Sequence, residues 1–110
     1  MTRSDTKKLI LKAANLIDKH GLAKGIEEDW NGAMCIYGAL SIAHQGRTAV
    51  HWDGVTHNAA IIIAKYLDLE IILNLPTSAL VDWNNDPRRT KLEVVTAMRE
   101  SVKAKGRSKC

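Results

Sequence analysis

The 110-residue chain contains no phenylalanine, two cysteines and two prolines, and each scarcity narrows the class of protein. The two cysteines, Cys35 and the C-terminal Cys110, are too few to form a disulfide scaffold. We therefore expect free thiols and a cytoplasmic location. The longest uninterrupted apolar run, residues 59–64, is far shorter than the ~20 residues that cross a membrane. Residues 1–12 contain no apolar stretch of signal-peptide length. We expect no contact with a membrane.

Composition and length favour one ordinary globular unit. Hydrophobic residues make up 45% of the chain and charged residues 25%, both close to globular averages. We predict a single helical domain over residues 1–105 and a basic tail over residues 106–110. No cofactor-binding motif is present, so we predict no cofactor.

Positive charge is concentrated near the C-terminus. Residues 1–86 carry eight Lys/Arg against ten Asp/Glu, whereas residues 87–110 carry eight against two, which gives the chain its net charge of +4. This basic end indicates either a solvated surface or an acidic partner such as nucleic acid.

Apolar residues recur with a period close to 3.6 in most segments, which predicts helices. The first should cover residues 5–20, capped by Ser4 and ended by Gly21. A polar connection with several glycines follows, and a second helix should cover residues 33–45 and end at Gly46. One lysine-rich stripe should line the first helix, formed by Lys8, Lys12 and Lys19. The side of the second helix that we expect to be wetter carries Tyr37, Ser41, His44 and Gln45.

The middle of the chain is harder to assign. Residues 48–55 read as a loop with a possible short extended piece. Thr56 should cap a third helix over residues 57–67, which is apolar nearly all round and therefore predicted to be the most buried. Residues 69–75 alternate like a strand, but a lone strand needs a partner, and only residues 48–52 could supply one. Among helix, strand and linker, we favour a buried extended linker or a continued helix. A short helix should follow over residues 77–83, with Thr77 as its cap and a turn at residues 84–87.

The last helix is predicted over residues 91–105. Thr90 and Glu93 have the spacing of a capping box, in which each side chain bonds the backbone N–H of the other residue. The buried stripe of this helix should consist of Leu92, Val95, Met98 and Val102. Together these elements predict an all-α bundle of four to five helices, with one short extended segment at most.

Two groups of residues could in principle support catalysis, one as metal ligands and one as a nucleophile with its base. His51, Asp53 and His57 lie within seven residues and are possible metal ligands, which makes a metal-dependent enzyme a distant alternative. No established ligand spacing accompanies them, so we predict no metal. Cys35 and His44 would lie about 180° apart on one helix, which disfavours a nucleophile and base pair. We predict that the protein is not an enzyme.

Arginine, tryptophan and lysine side chains provide most of the candidate binding residues. Arg88 and Arg89 precede a helix whose free N–H groups favour anions, although Asp82 or Asp86 can pair with them instead. The tryptophans lie in loops or at helix ends, where an indole either plugs the core edge or anchors a partner. The candidate partner-binding residues are Trp30, Trp52, Trp83, Asn84, Arg88 and Arg89. A basic face should comprise Lys8, Lys12, Lys19, Lys103 and Lys105, extended by Arg107 and Lys109.

Two short motifs resemble a family of small uncharacterised proteins of actinobacteria and their phages. That family has a C-x-x-G-A-L element and a W-N-D turn followed by R-T and E-V. This chain departs from the pattern at Asn85, where the family usually has Asp, although Asp86 follows. The matching positions are Cys35, Gly38, Ala39, Leu40, Trp83, Asn84, Arg89, Thr90, Glu93 and Val94. The resemblance implies a small α-helical intracellular protein of phage origin, and it implies no activity.

The function that we expect is therefore non-enzymatic binding of a partner protein. The phage link makes a host or defence component the expected partner. The alternative is a nucleic-acid or nucleotide binder that uses Arg88, Arg89, the basic C-terminal region and a tryptophan for stacking.

Overall fold

Five helices make up the all-α bundle of the computed structural model, which describes residues 3–26, 28–46, 54–69 and 77–103. They are α1 (Arg3–His20), α2 (Ile36–Gln45), α3 (Gly54–Tyr66), α4 (Thr77–Asn85) and α5 (Lys91–Lys103). The predicted fold class is confirmed. Residues 47–53, 70–76 and 104–110 lie outside the described residues, and with them the assignments for the loop before α3, for most of residues 69–75 and for the tail. No helix within the described ranges is long and apolar enough to cross a membrane.

Helix α1 packs against α2 and α5 through an apolar side formed by Leu9, Ile10, Ala13 and Ile17, all buried. It starts two residues earlier than predicted, so Ser4 lies within the helix and is not its cap. Gly21 ends α1 as expected, with a positive φ of 107° and its N–H bonded to the Ile17 carbonyl at 2.7 Å.

Helix α2 begins at Ile36, three residues later than predicted. Ala33 and Met34 are extended instead, because the Met34 N–H donates to the Gly21 carbonyl and its carbonyl accepts from Ala23. Cys35 is the N-cap, and its sulfur accepts a hydrogen bond from the Gly38 N–H at 3.3 Å. Gly46 ends the helix, as predicted.

The most buried helix is α2, not α3 as predicted. Seven of its ten residues are buried, including Tyr37 and Ser41, which the helical pattern had placed on the wetter side. Neighbours on several sides explain this result, because α2 contacts α1, α3 and α4. Helix α3 also starts earlier than predicted, so Thr56 is a buried residue in its first turn and not its cap.

Helices α4 and α5 meet at a tight turn. Helix α4 extends through Asn84 and Asn85, which had been predicted to belong to the turn. The capping box of α5 is confirmed, since the Glu93 N–H donates to Thr90 Oγ1 at 3.1 Å and the Thr90 N–H donates to Glu93 Oε1 at 2.9 Å. Leu92 is 73% exposed, so its place in the buried stripe was wrong. The buried residues of α5 are Val94, Val95, Ala97, Met98 and Ser101.

Candidate functional site

A tight turn at residues 29–32 carries the most exposed large hydrophobic side chain of the described residues. The Asp29 carboxylate holds the backbone of this turn, because its Oδ1 accepts hydrogen bonds from the N–H groups of Asn31 at 2.8 Å and Ala33 at 3.0 Å. The Gly32 N–H donates to the Asp29 carbonyl at 3.1 Å, and the Asp29 N–H donates to the Ala33 carbonyl at 2.9 Å. Gly32 has a φ of 86°, which glycine adopts without strain. Trp30 lies at the apex.

The turn stands on a base that is fixed to the bundle. Residues 22 and 34 form a parallel bridge, and residues 28 and 34 form an antiparallel one. Gly21 approaches Ala33 so closely that a Cβ at position 21 would lie 3.3 Å from the Ala33 side chain. This close approach ties the turn to the end of α1.

Trp30 is fully exposed, at 103% of its reference accessible area. Ile26, in the same connection, is 54% exposed. At this exposure the indole is not packed against the bundle, and burying it in a partner would remove roughly 150–250 Å² of surface from water. The exposed Trp30 side chain therefore contributes nothing to the core of the bundle.

Trp83 is placed quite differently. Its ring packs against the core, and the Arg89 guanidinium carbon lies 4.1 Å from the ring centroid. Arg89 Nε donates to the Trp83 carbonyl at 3.0 Å, and Nη1 lies 3.4 Å from Glu93 Oε2. Asp86 Oδ2 is 4.0 Å from Nη2. Arg89 is thus engaged on several sides within the chain, whereas the Arg88 side chain is 93% exposed.

The carboxylates of this turn are held in their charged forms. The pKa of Glu93 is lowered mainly by the hydrogen bond from the Thr90 N–H, with a further contribution from Arg89. The pKa of Asp86 is lowered mainly by the hydrogen bond from the Arg88 N–H. Two carboxylates that stay ionised beside Arg89 offset its charge, so this turn is a weak anion site.

Asn84 lies at the meeting point of three segments and is only 1% exposed. Its Oδ1 accepts from the Ile36 N–H at 3.1 Å, and its Nδ2 donates to the Ala23 carbonyl at 3.0 Å. Asn85 Oδ1 accepts from the same Nδ2 at 3.0 Å and from the Gly25 N–H at 2.9 Å. The Asn84 side chain is therefore occupied within the fold.

The other nominated residues divide between surface and undescribed segments. Lys8, Lys12, Lys19 and Lys103 are exposed, and Lys103 lies 3.5 Å from Glu100. Trp52, Lys105, Arg107, Lys109 and Cys110 lie outside the described residues.

The described residues of the two possible catalytic groups do not form a site. Cys35 is buried at the start of α2, and His44 lies in the last turn of that helix. Within residues 3–26, 28–46, 54–69 and 77–103, no group of three His, Cys, Asp or Glu side chains is arranged to hold a metal. His51 and Asp53, the proposed partners of His57, lie outside these ranges.

The sequence contains a local signal for the Trp30 turn. Asp at the first and Gly at the fourth position favour a type I turn, and Asp29-Trp30-Asn31-Gly32 has both. The role of Asn84 had no such signal, because its partners Ala23 and Ile36 lie 61 and 48 residues away.

Comparison with known proteins identifies the class: the model of a family of unknown function, DUF6197, matches residues 1–104. The chain belongs to that family. No curated protein and no solved structure matches it. The resemblance noted from the sequence motifs is confirmed as far as an uncharacterised family is concerned.

Proposed function

We propose that the protein acts by binding another protein, without catalysis, and that Trp30 is the principal contact. The observation that carries the proposal is the full exposure of Trp30 at the apex of a hydrogen-bonded turn. Tryptophan is enriched among the few interface residues that provide most of the binding energy.

The rigidity of the turn supports the same proposal. The four hydrogen bonds within residues 29–33 fix the backbone beneath the indole before any partner arrives. Less conformational entropy is then lost on association, which raises affinity.

The proposed partner is a cytoplasmic component of an actinobacterial host, including its defence proteins. The support is the resemblance of the two sequence motifs to proteins of actinobacteria and their phages.

A comparative capture experiment tests this function. The full chain is immobilised as wild type, Trp30→Ala and Leu92→Ala, and each is incubated with an actinobacterial lysate whose retained proteins are quantified by mass spectrometry. Leu92→Ala is the matched control, because Leu92 is also a large exposed hydrophobic residue. We expect at least one protein to be retained equally by wild type and Leu92→Ala, and its affinity to fall about 30-fold or more in Trp30→Ala, as for a 2 kcal/mol contact.

Retention of the same proteins in the same amounts by wild type and Trp30→Ala contradicts the proposal. Circular dichroism of each variant confirms beforehand that the helices are intact, so that a loss of binding is not a loss of folding.

A further inference from the structure

The exposed side of α1 carries a row of lysines, which we call the lysine face: Lys8, Lys12 and Lys19. At 100° per residue the three lie within 40° of one another, and at 1.5 Å per residue the row is about 16 Å long. All three are exposed, and none pairs with an acidic side chain in the part of the chain that the structure describes.

The acidic residues near this row are largely committed elsewhere. Asp18 Oδ1 lies 3.7 Å from Lys91 Nζ, and Asp18 Oδ2 lies 3.3 Å from Arg99 Nη2. Asp5 lies in the first turn of α1, where a negative charge is favourable to the helix itself. The lysine face therefore presents uncompensated positive charge.

We propose that the lysine face binds the phosphate backbone of duplex nucleic acid without reading its sequence. A duplex carries one negative charge per about 1.7 Å of its axis, so a 16 Å row lies along about ten phosphate charges. Lysines act as flexible point charges, which suits a uniformly charged polymer better than a defined carboxylate or base edge. The inference concerns other residues than the Trp30 turn and does not depend on it.

The chemistry of the face favours a duplex over the other polyanions. Binding of single strands uses exposed aromatic side chains for stacking, and α1 contains no aromatic residue. Insertion into a membrane surface requires a broad exposed apolar side. Most apolar residues of α1 are buried in the bundle, including Ile10, Ala13 and Ile17, and Leu11 is the one large hydrophobic residue of the helix that is exposed in the described part, at 39%.

The salt dependence of binding tests the proposal. A fluorescently labelled 20-base-pair DNA duplex is titrated with the full-length chain between 50 and 200 mM salt, and the affinity is obtained from fluorescence anisotropy. The variant Lys8→Gln/Lys12→Gln removes two of the three charges. The matched control, Lys24→Gln/Lys65→Gln, removes two exposed charges that lie outside α1.

We expect log K to fall with log salt with a slope of at least about 2.7, which corresponds to three phosphate contacts at about 0.9 each. The lysine-face variant should lower that slope by about 1.8, and the control variant should leave it unchanged. Unlabelled duplex should displace the probe, whereas vesicles of anionic lipid or poly-glutamate at equal charge should not.

Three results overturn the proposal: no binding at 50 mM salt, the same slope for the lysine-face variant as for wild type, or displacement of the duplex by vesicles or poly-glutamate. The third result assigns the face to another polyanion. Because the lysines are exposed, the variants are expected to fold, and circular dichroism checks that they do.

Discussion

The Oδ1 atom of Asn84 accepts a hydrogen bond from the backbone N–H of Ile36 at 3.1 Å, across 48 residues of sequence. The same amide donates to the Ala23 carbonyl at 3.0 Å. One buried side chain thereby joins the end of α4 to the start of α2 and to the connection that carries Trp30. It satisfies backbone groups that water does not reach at these positions.

Asn84→Ala should lower the free energy of unfolding by about 2–4 kcal/mol, because it leaves two buried backbone groups without partners. Urea denaturation followed by circular dichroism measures the change. Asn58→Ala is the control, since Asn58 is exposed on α3 and its replacement should be neutral or slightly stabilising. Equal stability of Asn84→Ala and wild type would show that the amide does not support the fold.

The charge on Glu93 should make the stability of α5 depend on pH. Its pKa is lower in the folded chain than the ordinary value of 4.5, so its contribution is fully present above about pH 5 and is lost as the pH falls through the folded pKa. Melting temperatures of wild type and Glu93→Gln, measured from pH 7 to pH 3, test this prediction.

Wild type should melt at the higher temperature at pH 7, and the two curves should converge towards pH 3. The pKa of Asp86 is lowered mainly by the hydrogen bond from the Arg88 N–H, which Glu93→Gln leaves in place, so the main effect of Asp86 is common to both proteins. A gap between the proteins that is constant down to pH 3 would contradict the lowered pKa of Glu93.

The sequence correctly predicted those helix ends that depend on interactions between residues close in sequence. The capping box of Thr90 and Glu93 depends on residues three positions apart, and Gly21 and Gly46 end their helices through their own backbone conformation. The burial of Tyr37 could not be read from α2 alone, because the surface of α2 is decided by the helices packed around it. The predicted burial of Leu92 was wrong for the same reason, since no neighbouring element covers its side of α5.

Asp68 occupies a position that suits glycine better. Its φ is 58°, and it follows α3 in a Schellman arrangement, where the Leu69 N–H donates to the Ala64 carbonyl at 2.9 Å. Its negative charge also faces the unfavourable end of the helix dipole. Asp68→Gly should therefore raise the free energy of unfolding by about 0.5–1 kcal/mol in urea denaturation.

Asp82→Gly is the matched control for this substitution. Asp82 lies within α4 and is exposed, so the same exchange should cost about 1 kcal/mol of stability there. If both substitutions destabilise the chain, the left-handed conformation of Asp68 is not a source of strain.

The sequence predicted which residues are candidates for binding a partner, but it did not predict which of their side chains are exposed. Three tryptophans next to acidic residues looked alike, yet Trp83 packs against the core beneath Arg89 while Trp30 is fully exposed. Which indole is buried depends on where α4 and the connection after α1 lie in the bundle. That arrangement rests on long-range contacts such as those of Asn84, which no local pattern encodes.

The central claim is that the indole of Trp30 takes no part in the fold and is held for a partner. The free energy of unfolding of Trp30→Ala, beside that of Trp83→Ala, tests the first half of this claim without any knowledge of the partner. We predict that Trp30→Ala stays within about 0.5 kcal/mol of wild type, whereas Trp83→Ala loses about 2–3 kcal/mol. A loss of more than about 1 kcal/mol in Trp30→Ala would show that the indole stabilises the bundle, and the proposed role of the turn would fail.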